Sequence, residues 1–158
     1  MSALFVVLMP LVLLANGLAA GVLLGTQLGG FPLMAALPPD RYVHAHAFFS
    51  TRYDPFMPIC LVTTALGDAV LAVVAPGPGA WVLHLTGTVL AGGTVVISLT
   101  KNVPINRWVQ QLDPDRLPSG FDYAGRRRAW GRWNSLRSWL TVAALVVNCA
   151  AVALALRP

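Results

Sequence analysis

Four apolar runs, Ala3–Gln27, Phe56–Ala75, Ala80–Thr100 and Ser138–Leu156, limit what this chain can fold into. Each is close to the roughly 20 residues that carry a helix across a bilayer core. None alternates apolar and polar residues as a barrel strand does, and backbone in lipid has to satisfy its own hydrogen bonds, so each run is expected to be helical. Of the 158 residues, 56% are hydrophobic and 11% charged, too few charges to clothe a soluble globule of this size. The sequence therefore predicts an all-α polytopic membrane protein, one domain over residues 1–158 built as a four-transmembrane-helix bundle. Helices are expected at about 3–27, 56–75, 80–100 and 130–156, the last starting early because Tyr123–Arg137 reads as a helix feeding into the fourth run. Leu18-Ala-Ala20 looks like a signal cleavage site, but no Lys or Arg precedes it and the run is long for a signal core, so it is read as the first crossing.

Charge sets the expected orientation. Lys101, Arg107, Arg116, Arg126, Arg127, Arg128, Arg132 and Arg137 lie between the third and fourth runs, Arg41 and Arg52 between the first and second, and Arg157 alone on the other side. Basic loops stay in the cytoplasm, which predicts a plasma-membrane protein with both termini outside. The net charge of +5 is then what cytoplasmic membrane loops carry, so the lipid bilayer and its anionic headgroups are the expected partner and nucleic acid is not. Cys60 and Cys149 fall in separate apolar runs without a CxxC pair, which argues against a thiol redox motif or a zinc site.

Small and polar residues inside the runs indicate packing. Gly17, Gly21, Gly25 and Gly29 share one helical face, expected to pack closely against another helix, within the monomer or across a homo-oligomer. Asn16, Asp68 and Asn148 lie at comparable depth; they read either as interhelical hydrogen-bonding glue or, for Asp68, as a proton-handling or substrate-binding group. The first loop predicts a short interfacial helix at Asp40–Tyr53, with His44 and Phe48 on one side and His46 roughly opposite.

The candidate site follows from what this topology brings to one level. Asn102 and Asn106 leave the third run four residues apart, and Trp130, Asn134 and Arg137 form one stripe entering the fourth, with Trp133 on its edge. Gln27, His44, His46 and Asp54 belong to the same level. Aromatic walls with a few convergent polar groups suit a small-molecule pocket. Arg137 is expected to hold an anionic oxygen, the amides Asn106 and Asn134 to donate to it, and His44 or His46 to act as a base. Asn102, Trp130, Trp133 and Gln27 are the expected substrate-binding residues. A second reading gives His44, His46 and Asp54 to a transition metal, copper or iron, which requires an extended segment because rings two residues apart diverge on a helix. Plainer roles stand beside these: helix capping for the amides, an interfacial aromatic belt for the indoles, snorkelling for Arg137.

Asn102-Val-Pro-Ile-Asn106, followed about thirty residues later by Trp130-x-x-Trp133-Asn134-x-x-Arg137, resembles the anthrone oxygenase-like family of small four-helix membrane proteins. The chain has Asn134 where the family's pattern has a His. The resemblance implies an oxidoreductase of natural product biosynthesis that oxidises an aromatic, polyketide-type small molecule, anthrone to anthraquinone, with dioxygen as co-substrate. The alternative reading is a non-catalytic membrane subunit or scaffold that packs through its glycine-rich first helix.

Overall fold

The computed structural model describes residues 3–118, 121 and 123–156. Ser119 and Gly120, at the end of the expected basic loop, and Arg157, the expected charge on the opposite side, lie outside them. The chain is helical: α1 (Ala3–Gly25), a wide π-helical turn (Thr26–Gly30), α2 (Phe31–Ala36), α3 (Pro39–Arg52), α4 (Phe56–Val73), α5 (Pro78–Ile97), a second π-helical turn (Ser98–Asn102), α6 (Val103–Gln110) and α7 (Tyr123–Ala155). No strand occurs among the described residues. Four continuous helical stretches, Ala3–Ala36, Phe56–Val73, Pro78–Gln110 and Tyr123–Ala155, are long and apolar enough to cross a membrane.

Two of these stretches run past the expected ends near residues 27 and 100, and prolines explain how. Pro32 and Pro104 each follow a π-turn by two residues. A proline inside an α-helix lacks its N–H and pushes against the carbonyl four residues back. Widening the preceding turn relieves that clash, so the helix bends its hydrogen-bond ladder instead of ending. α3 begins at Pro39 with Asp40 in its first turn, and α5 begins at Pro78 after the extended Gly77, both favourable helix starts.

The four long helices form a ring in which α1 touches α4 and α7, and α5 touches the same two neighbours. Large apolar side chains such as Leu11, Leu14, Val62, Val89 and Val146 point outward, while Asn16, Thr64, Asp68, His84, Thr94, Asn134, Ser138, Thr141 and Asn148 are buried. This distribution suits lipid, where helices gain nothing by hiding leucine and associate through close packing and interhelical hydrogen bonds. In the half of the bundle away from the basic loops, each long helix gives one side chain to a single cluster. Asn148 donates to Asn16 Oδ1 and to Asp68 Oδ2, both at 3.0 Å, and Asp68 Oδ1 meets His84 Nδ1 at 3.0 Å. A Cβ on Gly87 would stand 2.5 Å from Asp68 Oδ2, so only glycine lets α5 come this close.

The face of Gly17, Gly21, Gly25 and Gly29 does not pack inside the monomer: added Cβ atoms there would meet nothing within 4 Å. The intimate contacts form elsewhere, where Gly67 receives Val12, Gly87 receives Asp68 and Gly131 receives the Phe31 ring. The latter holds α2 against α7. Arg127 adds a second tie, donating to the carbonyls of Met34 and Leu37 at 3.5 and 3.4 Å and so satisfying the open end of α2. With α3 packed on α6 and α2, these short helices close the basic end of the bundle.

Candidate functional site

A cavity of about 200 Å³ lies beneath that closure. Its sides are the ends of α1, α4 and α5, with Leu23, Leu61 and Val95 among the apolar wall. Its polar residues include His46 and Ser50 from α3, Asp54, Ser98 from the second π-turn, Asn106 from α6, and Trp130 and Arg137 from α7. Thr26 and Ser98, one from each π-turn, both reach it, so the two irregular turns shape the same space. Such turns recur at functional sites because they redirect side chains without ending a helix.

Arg137 is held by neutral groups alone. Its Nε and one terminal nitrogen donate to Asn134 Oδ1 at 3.1 and 2.9 Å, and the other terminal nitrogen donates to Ser98 Oγ at 3.2 Å. No carboxylate lies within 4.0 Å of it; the only ion pair among the described residues is Asp68–His84. Behind it, Asn134 Nδ2 donates to Gln27 Oε1 at 3.0 Å, which fixes the amide so that its oxygen faces the guanidinium. Drawing the half-buried Arg137 cation partly out of water without a counter-ion is costly. The site therefore carries an open preference for an anion.

The second polar group is a chain across α3, α6 and α7. Tyr42 Oη and His46 Nδ1 are 2.8 Å apart, His46 Nε2 and Asn106 Oδ1 3.0 Å, and Trp130 Nε1 donates to the same Oδ1 at 2.7 Å. An indole nitrogen only donates, so Asn106 must present its oxygen there, and His46 Nε2, meeting that oxygen, must carry the proton. Nδ1 then accepts from Tyr42. Burial lowers the His46 pKa below its ordinary 6.5, with the Arg137 charge adding to this and the Asn106 hydrogen bond opposing it. The imidazole is neutral at pH 7. Burial pushes Tyr42 up to about 12 despite the nearby Arg127 charge, so its hydroxyl stays a donor.

The sequence-derived candidates thus divide. His46, Asn106, Trp130, Arg137 and Asp54 line the cavity. Asn134 and Gln27 stand behind it as supports for Arg137, and buried Asn102 donates to the Trp130 carbonyl at 3.2 Å, tying the second π-turn to α7. Trp133 turns away, its ring lying 5.2 Å from the Lys101 ammonium. His44 is exposed on the other side of α3 from buried His46, so His44, His46 and Asp54 do not converge as metal ligands. Both His46 nitrogens are already taken, and no group of three His, Cys, Asp or Glu suited to a metal exists among the described residues. These side chains do not fit a resident metal. Two contributors escaped the sequence reading. Tyr42 is signalled only by its place one helical turn before His46, and Ser98 by nothing beyond a hydroxyl near a helix end.

Four helical stretches long and apolar enough to cross a bilayer, with an apolar cavity at one end lined by a guanidinium and an oriented amide, define a class of protein: one with the build of an integral membrane protein. The sequence profile of the Anthrone oxygenase family matches residues 46–147, well over half the chain, from His46 through Arg137. The chain belongs to the anthrone oxygenase family. No curated protein and no solved structure matches it.

Proposed function

We propose that this protein is a membrane-embedded oxygenase of natural product biosynthesis, which oxidises a small polycyclic aromatic molecule with dioxygen in the cavity at the basic end of the bundle. The observation that carries the reading is Arg137, a half-buried guanidinium without a carboxylate partner on the wall of an apolar cavity. At about 200 Å³ the space is below the roughly 300–1,000 Å³ typical of drug-sized ligands, which favours a few fused rings over a long chain. An anthrone-type ketone fits this chemistry. Loss of a benzylic proton gives an enolate whose oxygen pairs with Arg137 and with the Asn106 amide, and charge developing on that oxygen is what such donors stabilise. Asp54, the carboxylate on the cavity wall, takes the proton. The electron-rich ring carbon then adds dioxygen; protonation gives a hydroperoxide, and loss of water leaves a carbonyl. The balance is one CH2 group and one dioxygen to one C=O group and one water, and all four electrons come from the substrate carbon. By the distribution of basic residues, this end faces the cytoplasm, and the open glycine face of α1 is where a second copy would pack.

The test is oxygen uptake and quinone formation by purified protein supplied with anthrone, with metal content measured on the same sample. Turnover consuming one dioxygen per quinone, at least about 100-fold slower in Arg137→Ala and independent of metal content, is the expected result. Turnover unchanged in Arg137→Ala would contradict the reading.

A further inference from the structure

His46 invites the role of base, being the only histidine on the cavity wall. The hydrogen bonds give it a different one. We infer that His46 is a positioning residue: as the Nε2–H tautomer braced by Tyr42, it turns the Asn106 amide so that its NH2 group, and not the imidazole, meets the substrate oxygen beside Arg137. This rests on the oxyanion reading of the cavity given above.

Three observations carry it. First, both ring nitrogens are engaged, Nδ1 with the Tyr42 hydroxyl at 2.8 Å and Nε2 with Asn106 Oδ1 at 3.0 Å, so no lone pair faces the cavity. A general base needs a free lone pair within reach of the proton it removes. Second, Trp130 Nε1 at 2.7 Å from Asn106 Oδ1 forbids the flipped amide, because a flip would set two donors against each other. The orientation is therefore fixed by two donors on one oxygen. Third, Asn106 lines the cavity and its Nδ2 has no hydrogen-bond partner among the described residues, which leaves two N–H donors for a ligand. Accepting two hydrogen bonds at the amide oxygen polarises those N–H groups and strengthens them as donors. Arg137, whose guanidinium carbon lies 5.9 Å from the centre of the Trp130 ring, flanks the same indole. The pair is donor-only, so the substrate group it recognises is a bare acceptor oxygen: an enolate, a phenolate or a carbonyl on its way to one.

The probe is para-nitrophenol, whose absorption distinguishes phenol from phenolate, titrated into wild type, Arg137→Ala, His46→Ala and His46→Gln. Glutamine places an amide N–H close to where His46 Nε2 stands, so it donates to Asn106 but cannot serve as a base. Wild type is expected to bind the phenolate, and Arg137→Ala to lose it. His46→Gln should bind within about threefold of wild type and keep anthrone turnover, while His46→Ala binds about tenfold more weakly, the effect of roughly one lost hydrogen bond. If wild type binds no phenolate, or Arg137→Ala binds it equally well, the oxyanion site fails whatever His46 does. If phenolate binding depends on Arg137 but His46→Ala leaves it intact, or if His46→Gln is as inactive as His46→Ala, the positioning role is overturned and the oxyanion site stands. Should His46→Ala not fold, nitrogen NMR of histidine-labelled wild type decides the matter, with His46→Gln assigning the signal. A protonated Nε2 with a bare Nδ1 is expected, and a proton on Nδ1 would overturn the inference.

Discussion

At the scale of single residues, the proposed function depends on charges and protons placed where lipid-facing protein rarely keeps them. Burial holds the His46 imidazole below its ordinary 6.5, so as the pH falls the unfolded chain takes up the proton before the folded one does. The stability that neutral His46 contributes is therefore complete above 6.5 and is lost as the pH drops from there toward the folded value. Thermal unfolding in detergent should show wild type losing stability over that range relative to His46→Gln; parallel profiles would mean that the ring is not held neutral. Tyr42→Phe removes one donor and leaves Nδ1 bare, a change expected to cost about 1–3 kcal/mol for the orphaned acceptor and read in the same unfolding experiment. Of the residues on the cavity wall, Arg137 and Asn106 were legible because a guanidinium and an amide pair stand out at the ends of apolar runs. The partition of the histidines was legible too, since residues two apart on a helix face different ways. The tautomer of His46 was not, because it depends on Trp130, whose place beside Asn106 comes from the packing of the second π-turn, which leads into α6, on α7.

Among the helices, glycine marks where backbone approach is obligatory, and inside the monomer the close contacts fall on glycines other than those the sequence spacing aligns. The four-residue repeat from Gly17 to Gly29 forms a smooth stripe, yet nothing in the monomer packs there. Gly87 and Gly131 belong to no repeat and are filled by Asp68 and Phe31. Gly87→Ala and Gly131→Ala should each lower stability by about 1–3 kcal/mol through overpacking, whereas Gly21→Ala should leave the monomer unchanged or up to about 1 kcal/mol steadier. Unfolding of the three variants side by side checks this, and equal effects would mean that the close contacts are misplaced. The helical spans could be read from hydropathy. Their extensions through Thr26–Gly30 and Ser98–Asn102 could not, because proline two residues later reads as an end, and only the wide turn before it shows how the helix continues.

Across the whole molecule, the two ends of the bundle divide the work. One end holds the cavity; the other is clamped by Asn16, Asp68, His84 and Asn148, one from each long helix. Asp68 and His84 stand eight residues on either side of Pro76, so an antiparallel hairpin of α4 and α5 brings them level. That symmetry was present in the sequence, and it supplies the partner that His84 otherwise lacks. Asp68→Ala should therefore cost about 1–3 kcal/mol of stability, since it strands buried partners, while para-nitrophenolate binding at the far end stays as in wild type. Loss of binding without loss of stability would instead join Asp68 to the site. For the whole account, the most direct measurement is an experimental structure of the protein with para-nitrophenolate bound. Density for the ligand oxygen within hydrogen-bond distance of both Arg137 and Asn106 Nδ2 is the expected result; a ligand seated elsewhere, or one whose oxygen turns away from both donors, would contradict it.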